Sequence, residues 1–254
     1  MILNTFGVGK RQITASEILR EASEAEAFDE VFLLPIPSSR DSIHVTDTDI
    51  PLTDLLRDPK GKRLIAGYGI PLEIAREATA RGIRIADVGT DERFLRDNAE
   101  LTAHGAVGYI LTKHDRGISD LCCGIVGYGR IGRLLCRLLL FLGATTVVFT
   151  HREEVRLELC GMGIDARSAE QIGSTDSLDV LINTAPARLI TREGADAITS
   201  GGCEIIELAS GDNLPHGIEV TRLPSIPDRN FPVSAGRIYA AAVLRYIARE
   251  ARGG

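Results

Sequence analysis

The stretch "CGIVGYGRIG", residues 123–132, decides the fold of this chain. It reads as an apolar strand that enters a glycine-rich turn, and a helical pattern follows. In this setting the first glycine permits a tight turn, the second lets the backbone approach a pyrophosphate, and the third lets helix and strand pack closely. The N–H groups and the dipole at the helix start would hold the phosphates. The stretch therefore predicts a dinucleotide site, and the alternative is a turn that only packs the sheet. The predicted turn residues are Gly127, Tyr128, Gly129, Arg130, Ile131 and Gly132.

The end of the next predicted strand indicates which dinucleotide the site prefers. An NAD site usually carries Asp or Glu there, because a carboxylate bonds the ribose 2′-hydroxyl. This chain has Thr150, His151 and Arg152 instead. A hydroxyl and a guanidinium suit a 2′-phosphate, which a carboxylate would repel. With Arg130 as a second cation, the pattern favours NADP as the cofactor over NAD.

Two later strands supply residues for the nicotinamide half of the cofactor. The segments "DVLINTAP" (179–186) and "IIELAS" (205–210) end at the carboxyl edge of the predicted sheet, where ligands bind in such folds. Ordinary loop chemistry is the alternative for each. The residues expected to line this half are Asn183, Thr184, Ala185, Pro186 and Ala209.

Composition narrows the class of protein. The chain has 254 residues, a formal net charge of −6 and no basic block, which argues against nucleic-acid or anionic-membrane partners. The most apolar run, 134–142, is too short to span a bilayer, and the opening residues lack a secretion signal, so a cytoplasmic protein is expected. The five cysteines form no C-x-x-C pair and no histidines have ligand spacing, so no metal site is predicted.

Strand and helix patterns alternate along the whole chain, which predicts an α/β fold with two Rossmann-like domains and parallel sheets. Residues 1–115 are assigned to a substrate-side domain and 116–233 to an NADP-binding Rossmann domain, with a helix at 234–252 packing back on the first. Three further segments are predicted as elements. They are a helix over 14–28, a long helix from 91 to about 113, and a proline-punctuated loop at 224–232.

Several motifs in order resemble the A chain of dipicolinate synthase, from about residue 30 to residue 247. They are "FLLPIPSSRD", "IAGYGIP", "DNAELTAHG", "GIVGYGRIG", "LINTAP", "IIELAS" and "LPSIPDRNFPVSAG". The glycine turn alone also fits many 2-hydroxyacid dehydrogenases. The resemblance implies a formate/glycerate dehydrogenase-like architecture and NADP-linked oxidation of dihydrodipicolinate to dipicolinate, the pyridine-2,6-dicarboxylate. It also implies a homodimer and a flavoprotein-like second subunit.

A dicarboxylate substrate calls for hydroxyl, amide and cationic donors at an interdomain cleft. The pattern "DNAELTAHG" is similar to the family's "N-x-x-P-T-x-E-G" at its Asn and Thr. Arg40 is a candidate carboxylate clamp, with pairing to Asp41 as the alternative, and Arg229 is a second candidate on a loop that is alternatively structural. The predicted substrate residues are Ser38, Ser39, Arg40, Asn98, Thr102, Arg229 and Ser234.

His104 is the candidate catalytic base, because an imidazole accepts protons near neutral pH. It lies where the family has an acidic residue, and a surface role is the alternative. The chain departs from the family pattern at Leu101 and at Val233, which replaces a lysine. The family's opening strand and glycine turn, "IGGD-x-R", are expected to be shortened here to a trace in "NTFGVGKRQ" (4–12).

Two other functions remain open at this point. One is a 2-hydroxyacid-type dehydrogenase, which needs a late histidine that His216 does not match. The other is a nucleotide-binding regulatory or scaffold subunit without activity of its own.

Overall fold

The computed structural model describes residues 1–175, 177–211 and 213–253. The chain divides into two compact units. Unit 1 comprises Met1–Asn98 and the chain from Pro227 onward, and unit 2 comprises Ala99–Ile226. The chain thus changes unit near residues 98 and 226, whereas the sequence placed these changes near residues 115 and 233.

In the described residues ten strands form two sheets, and every strand pairing within these sheets is parallel. Unit 1 has a four-stranded sheet in the order β1-β2-β3-β4, and unit 2 has a six-stranded sheet in the order β10-β9-β8-β5-β6-β7. The strands are β1 (Ile2–Thr5), β2 (Glu30–Leu33), β3 (Arg63–Gly67), β4 (Arg84–Asp87), β5 (Cys122–Val126), β6 (Thr145–Phe149), β7 (Asp165–Arg167), β8 (Val180–Asn183), β9 (Glu204–Glu207) and β10 (Thr221–Arg222).

The α-helices follow or precede these strands as the predicted α/β alternation requires. They are α1 (Lys10–Glu21), α2 (Leu72–Ala80), α3 (Glu92–Lys113), α4 (Arg130–Phe141), α5 (Glu153–Gly161), α6 (Arg192–Ser200), α7 (Ile226–Asn230) and α8 (Pro232–Gly253). Within the described part of the chain, no helix has the length and apolarity needed to cross a membrane.

The N-terminal part differs from the sequence prediction. β1 pairs in parallel with β2, from Ile2↔Glu30 to Thr5↔Leu33, and a turn with Gly7 at φ +88° leads into α1. The opening strand and glycine turn are therefore present, which corrects the expectation that they are shortened. The first helix begins at Lys10, with Gly9 at its N-cap position, and a separate 3-10 turn, Ser23–Ala27, follows it in place of one helix over 14–28.

The proline-rich segment 224–232 is also more regular than the predicted loop. It contains α7 and the first residue of α8. Pro227 and Pro232 lie in the first turns of these helices, where the missing backbone N–H removes no helical hydrogen bond.

α8 packs within unit 1 against α1. A Cβ on Gly236 would lie 2.6 Å from Cβ of Thr14, so only glycine permits this approach of the two helices. Tyr239 is fully buried, and its hydroxyl donates to the carbonyl oxygens of Leu34 and Ala66 at 2.9 and 3.0 Å. These two carbonyls lie at the carboxyl ends of β2 and β3, so α8 fixes that edge of the sheet.

Candidate dinucleotide site and substrate residues

The glycine turn lies between β5 and α4, at the point where the strand order of unit 2 diverges to β8 on one side and β6 on the other. Gly127 has φ +92°, a conformation that favours glycine. A Cβ on Gly132 would overlap the carbonyl oxygen of Gly127, whereas a Cβ on Gly129 would meet no atom within 4 Å. The turn is therefore packed at its first and third glycines and open at the second.

This openness fits a pyrophosphate. Gly129 is the N-cap of α4 and has no side chain to cap the helix, so the first turn of α4 presents backbone N–H groups to the space beside it. The first turn of α4 contains no acidic residue that would repel a phosphate. Thr184 closes the other side of the turn, where its hydroxyl donates to the Val126 carbonyl oxygen at 2.9 Å.

Arg152 bridges from the end of β6 to the glycine turn. One of its guanidinium nitrogens, Nη2, donates to the carbonyl oxygen of Tyr128 at 3.2 Å, although the two residues are 24 positions apart. Arg133 also points its guanidinium at the turn, 5.2 Å above the ring of Tyr128. Two cations thus flank the turn on the β6 side, and the sequence singled out only the first of them.

Thr150 and His151 have different surroundings. Thr150 is 1% exposed, and its hydroxyl accepts from the backbone N–H of Arg152, so it fixes the backbone that carries this arginine. This burial corrects the expectation that the Thr150 hydroxyl faces a ligand. His151 is exposed. Arg156, which the sequence did not single out, donates to the Thr150 carbonyl oxygen at 2.9 Å.

The edge of β8 and β9 is closed by a buried polar pair. Asn183 and Glu207 are 1% and 3% exposed, and Asn183 Nδ2 donates to both carboxylate oxygens at 3.2 and 3.1 Å. The Asn183 side chain therefore holds the strand ends together, which corrects the expectation that this side chain lines the nicotinamide half of the cofactor. Ala185 is buried beside it, while Pro186 is exposed and Ala209 is partly exposed. The pKa of Glu207 is raised above its ordinary value, because the effect of burial outweighs the hydrogen bonds from Asn183 and Ala209, which act in the opposite direction.

In unit 1, Ser38 has a structural role. It is fully buried, its Oγ accepts from the Tyr68 backbone N–H at 2.7 Å, and its own N–H donates to the Tyr68 carbonyl oxygen at 2.9 Å. The structure therefore removes Ser38 from the candidate substrate ligands. Ser39 donates its hydroxyl to Asp41, and Arg40 is 65% exposed and lies 3.9 Å from Asp47.

Asp41 organises the loop that holds Arg40. Its carboxylate contacts His44 Nδ1 at 2.7 Å and accepts from two backbone N–H groups, of Ile43 and His44. These contacts, with that from Ser39, hold the pKa of Asp41 well below its usual range. Arg40 therefore pairs with Asp47 rather than with Asp41, the partner that the sequence offered.

Asn98 belongs to a polar cluster that the sequence did not reveal. Arg11 is 3% exposed, its Nε lies 2.8 Å from Asp228 Oδ1, and its Nη2 donates to Asn98 Oδ1 at 3.4 Å. Burial lowers the pKa of Arg11, and the Asp228 carboxylate opposes this. The feature of the sequence that could have indicated this cluster is Arg11 in "NTFGVGKRQ", because the family pattern "IGGD-x-R" also has an arginine after its glycine turn.

The remaining candidates are described within the unit to which each belongs. Thr102 is buried on α3. His104, on the same helix, is 44% exposed and lies 3.9 Å from Glu100 Oε1. Arg229 and Ser234 are exposed on α7 and α8. Their predicted roles remain predictions. Among the described residues, no group of three or more His, Cys, Asp or Glu side chains could hold a metal ion.

Solved structures with the same fold include two dipicolinate synthase A chains. The one from Bacillus halodurans matches with a TM-score of 0.77 and 18% identity, over 97% of this chain and 97% of that chain. The one from Bacillus subtilis matches with a TM-score of 0.80 and 17% identity, over 100% and 96%. The apo D-lactate dehydrogenase from Escherichia coli matches with a TM-score of 0.62 and 15% identity, over 100% and 98%.

No protein-family model and no curated protein matches the sequence. At the identities above, the similarity establishes the fold. It confirms the predicted α/β class with two parallel sheets, and it confirms, at the level of fold, the resemblance to the dipicolinate synthase A chain.

Proposed function

We propose that this chain is an NADP-dependent oxidoreductase that oxidises dihydrodipicolinate to dipicolinate. The observation that carries the proposal is the guanidinium of Arg152, held 3.2 Å from the carbonyl of Tyr128 in the glycine turn. A cation at the end of β6, in place of a carboxylate, suits the 2′-phosphate that distinguishes NADP from NAD. NAD is the alternative cofactor.

The residues of unit 2 fit such a cofactor. The open space at Gly129 and the N-terminus of α4 suit the pyrophosphate, and Arg152, Arg130 and His151 suit the 2′-phosphate. The edge formed by Thr184, Ala185, Pro186 and Ala209 suits the nicotinamide half, because it lies on the other side of β5.

The substrate is proposed from the fold shared with the two dipicolinate synthase structures and from the polar residues of unit 1. Arg40 is the best-placed clamp for a carboxylate, because its side chain is 65% exposed and its contact with Asp47 is long. Further proposed donors are Ser39, Asn98, Arg229 and Ser234 of unit 1 and Thr102 of unit 2.

The proposed reaction converts the dihydropyridine ring and NADP⁺ into the pyridine ring, NADPH and a proton. When bound, the cofactor accepts the hydride that leaves a ring carbon. The chain orients the ring, and His104 is the proposed acceptor of the proton because its imidazole is partly exposed. Aromatisation of the ring makes a strong base unnecessary. Assembly as a homodimer, with a flavoprotein-like second subunit, is proposed by analogy with the family.

A second candidate is a nucleotide-binding subunit without activity of its own. The observation that favours it lies in unit 1, where Ser38 is fully buried and its Oγ accepts from the Tyr68 backbone N–H. One predicted substrate ligand is thereby lost, although the glycine turn of unit 2 keeps the geometry of a cofactor site.

The experiment is a turnover assay with the purified chain, NADP⁺ and freshly made dihydrodipicolinate, followed by the absorbance of reduced nicotinamide. The proposal predicts NADPH formation that depends on both reactants and falls at least about tenfold in Arg40→Gln through a higher KM. Arg57→Gln is the matched control, since Arg57 is an exposed arginine of the same unit that pairs with Asp54. Cofactor binding without turnover would favour the second candidate, and turnover of 2-hydroxy acids instead would favour a hydroxyacid dehydrogenase.

A further inference from the structure

Glu207 is a buried carboxylate at the ligand-binding edge of unit 2. It ends β9, it is paired in register with Asn183 at the end of β8, and it is 3% exposed. Its oxygens accept from Asn183 Nδ2 at 3.2 and 3.1 Å and from the backbone N–H of Ala209 at 2.8 Å. Each contact brings an N–H donor. The ionised carboxylate, which only accepts hydrogen bonds, is therefore the form that these partners fit.

The orientation of Asn183 is fixed from the other side. Its Oδ1 accepts from the Ala185 backbone N–H at 3.2 Å, so its amino group must face Glu207. The charged group that acts on Glu207 is Arg222, the exposed second residue of β10, which makes no hydrogen bond to it among the described contacts. Among the described contacts, the hydrogen-bond partners of Glu207 at the sheet edge are thus the amide N–H donors of Asn183 and Ala209.

The strand order indicates which half of a bound dinucleotide would lie near the Glu207 carboxylate. The glycine turn follows β5, and Arg152 follows β6 on one side of it. A dinucleotide whose 2′-phosphate lies on the β6 side must extend its nicotinamide half to the opposite side, toward β8 and β9. Glu207 is at that end. An oxidised nicotinamide ring is a cation and a reduced ring is neutral, so a nearby negative charge stabilises only the oxidised form.

We propose that Glu207 sets the redox preference of this site, so that it binds NADP⁺ more favourably, relative to NADPH, than the same site without the charge. The inference rests on the proposed function, because it requires a nicotinamide cofactor. It assigns Asn183 and Ala209 the role of holding the carboxylate ionised in a buried place. Such a preference helps the site to load NADP⁺ and to release NADPH, the order in which a cofactor that accepts a hydride is exchanged.

The test compares the Kd values of NADP⁺ and NADPH, measured by isothermal titration calorimetry, in the natural chain and in three variants. Glu207→Gln keeps the shape and removes the charge, and Glu207→Asp keeps the charge. Glu204→Gln is the matched control, because Glu204 lies at the other end of the same strand and accepts from Tyr109 and Thr221. We expect Glu207→Gln to weaken NADP⁺ about tenfold and NADPH less than about twofold. We expect Glu207→Asp and the Glu204→Gln control to keep the ratio of the NADP⁺ and NADPH Kd values that the natural chain has.

Three results overturn the inference. The first is a ratio of the two Kd values that is unchanged in Glu207→Gln, whether both nucleotides are weakened equally or neither is weakened. The second is an equal loss of affinity for 2′-phospho-ADP-ribose, which lacks the nicotinamide ring and so indicates a structural role only. Both leave the proposed function standing, and the third concerns the natural chain. If the natural chain binds no nicotinamide nucleotide, the proposed function fails and this inference fails with it.

A measurement on the natural chain replaces the Gln variant if that variant does not fold. As the pH falls and Glu207 takes up a proton, the preference for NADP⁺ over NADPH should decrease, because the carboxylate becomes neutral while Arg222 stays charged. The 2′-phosphate is common to both nucleotides and cancels in their ratio. A ratio that stays constant from neutral pH to the onset of acid unfolding contradicts the inference.

Discussion

Gly132 and Gly129 lie three residues apart in one turn and have opposite surroundings. A Cβ at 132 would overlap the Gly127 carbonyl oxygen, and a Cβ at 129 would meet nothing within 4 Å. The Gly132→Ala variant should therefore lose about 1–3 kcal/mol in the free energy of unfolding, because the turn must move to admit the methyl group. Chemical denaturation of the two variants measures this difference.

Gly129→Ala should lose less than about 1 kcal/mol, the scale of a changed helix cap. Its affinity for NADPH should nevertheless fall more than about tenfold, because the methyl group occupies the space proposed for the pyrophosphate. Equal stability of the two variants would contradict the packing account. Undiminished NADPH affinity in Gly129→Ala would contradict the placement of the phosphates.

The roles of individual residues were only partly predictable from the sequence. The spacing of the turn glycines was enough to predict the roles of Gly127, Gly129 and Gly132, because each role requires only that a side chain be absent. Ser38 and Asn183 were assigned to ligands because their residue types suit ligands. Their burial is decided by tertiary neighbours, Tyr68 and Glu207, which lie 30 and 24 positions away. No local pattern contains such contacts.

At the scale of elements, α8 is anchored through one hydroxyl. The Tyr239 side chain donates to carbonyls at the ends of β2 and β3, and no water reaches it because the residue is fully buried. Tyr239→Phe should reduce the free energy of unfolding by about 1–2 kcal/mol, because the Leu34 carbonyl then loses its partner in the core. Tyr246→Phe on the same helix is the control, since Tyr246 is only partly buried.

Thermal denaturation followed by circular dichroism measures both variants. The control should change the stability by less than about 0.5 kcal/mol. If Tyr239→Phe is as stable as the natural chain, the hydroxyl does not anchor α8 at that edge.

Most elements with a strong apolar period were predictable, and the short ones were not. The long helix predicted from residue 91 to about residue 113 matches α3, Glu92–Lys113, within one residue at its start. β1 has only four residues and is exposed at its first, so its pattern is too weak to identify alone. α7 was read as a loop because its prolines suggested a break, whereas a proline in the first turn is compatible with a helix.

At the scale of the whole molecule, the Arg63–Glu30 ion pair is buried in unit 1, with side chains that are 5% and 8% exposed. Arg63 Nε donates to Glu30 Oε2 at 2.7 Å, and Arg63 also donates to the Leu55 and Arg57 carbonyl oxygens. Burial alone would raise the pKa of Glu30, but the hydrogen bonds from Arg63 and Lys60 outweigh it and lower the pKa. A carboxylate with a lowered pKa stabilises the fold above its unfolded-state pKa, and this contribution is lost as the pH falls through the folded-state value.

Glu30→Gln should therefore cost about 3 kcal/mol at neutral pH, because it leaves the buried Arg63 without a counter-charge. The loss of stability on acidification should also become shallower than in the natural chain. Glu77→Gln is the matched control, since its pair with Arg81 is exposed and is worth less than about 0.5 kcal/mol. Urea denaturation at several pH values tests both statements, and an unchanged acid slope in Glu30→Gln would contradict the linkage.

The most direct test of the proposed function is the affinity of the natural chain for NADPH and NADH, measured side by side with Arg152→Gln. The natural chain should bind NADPH more tightly than NADH, and Arg152→Gln should weaken NADPH binding about tenfold or more while NADH binding changes little. Arg192→Gln serves as the control, because Arg192 is an exposed arginine of unit 2 paired with Asp196. Binding of NADH by the natural chain as tightly as NADPH, or more tightly, would contradict the account.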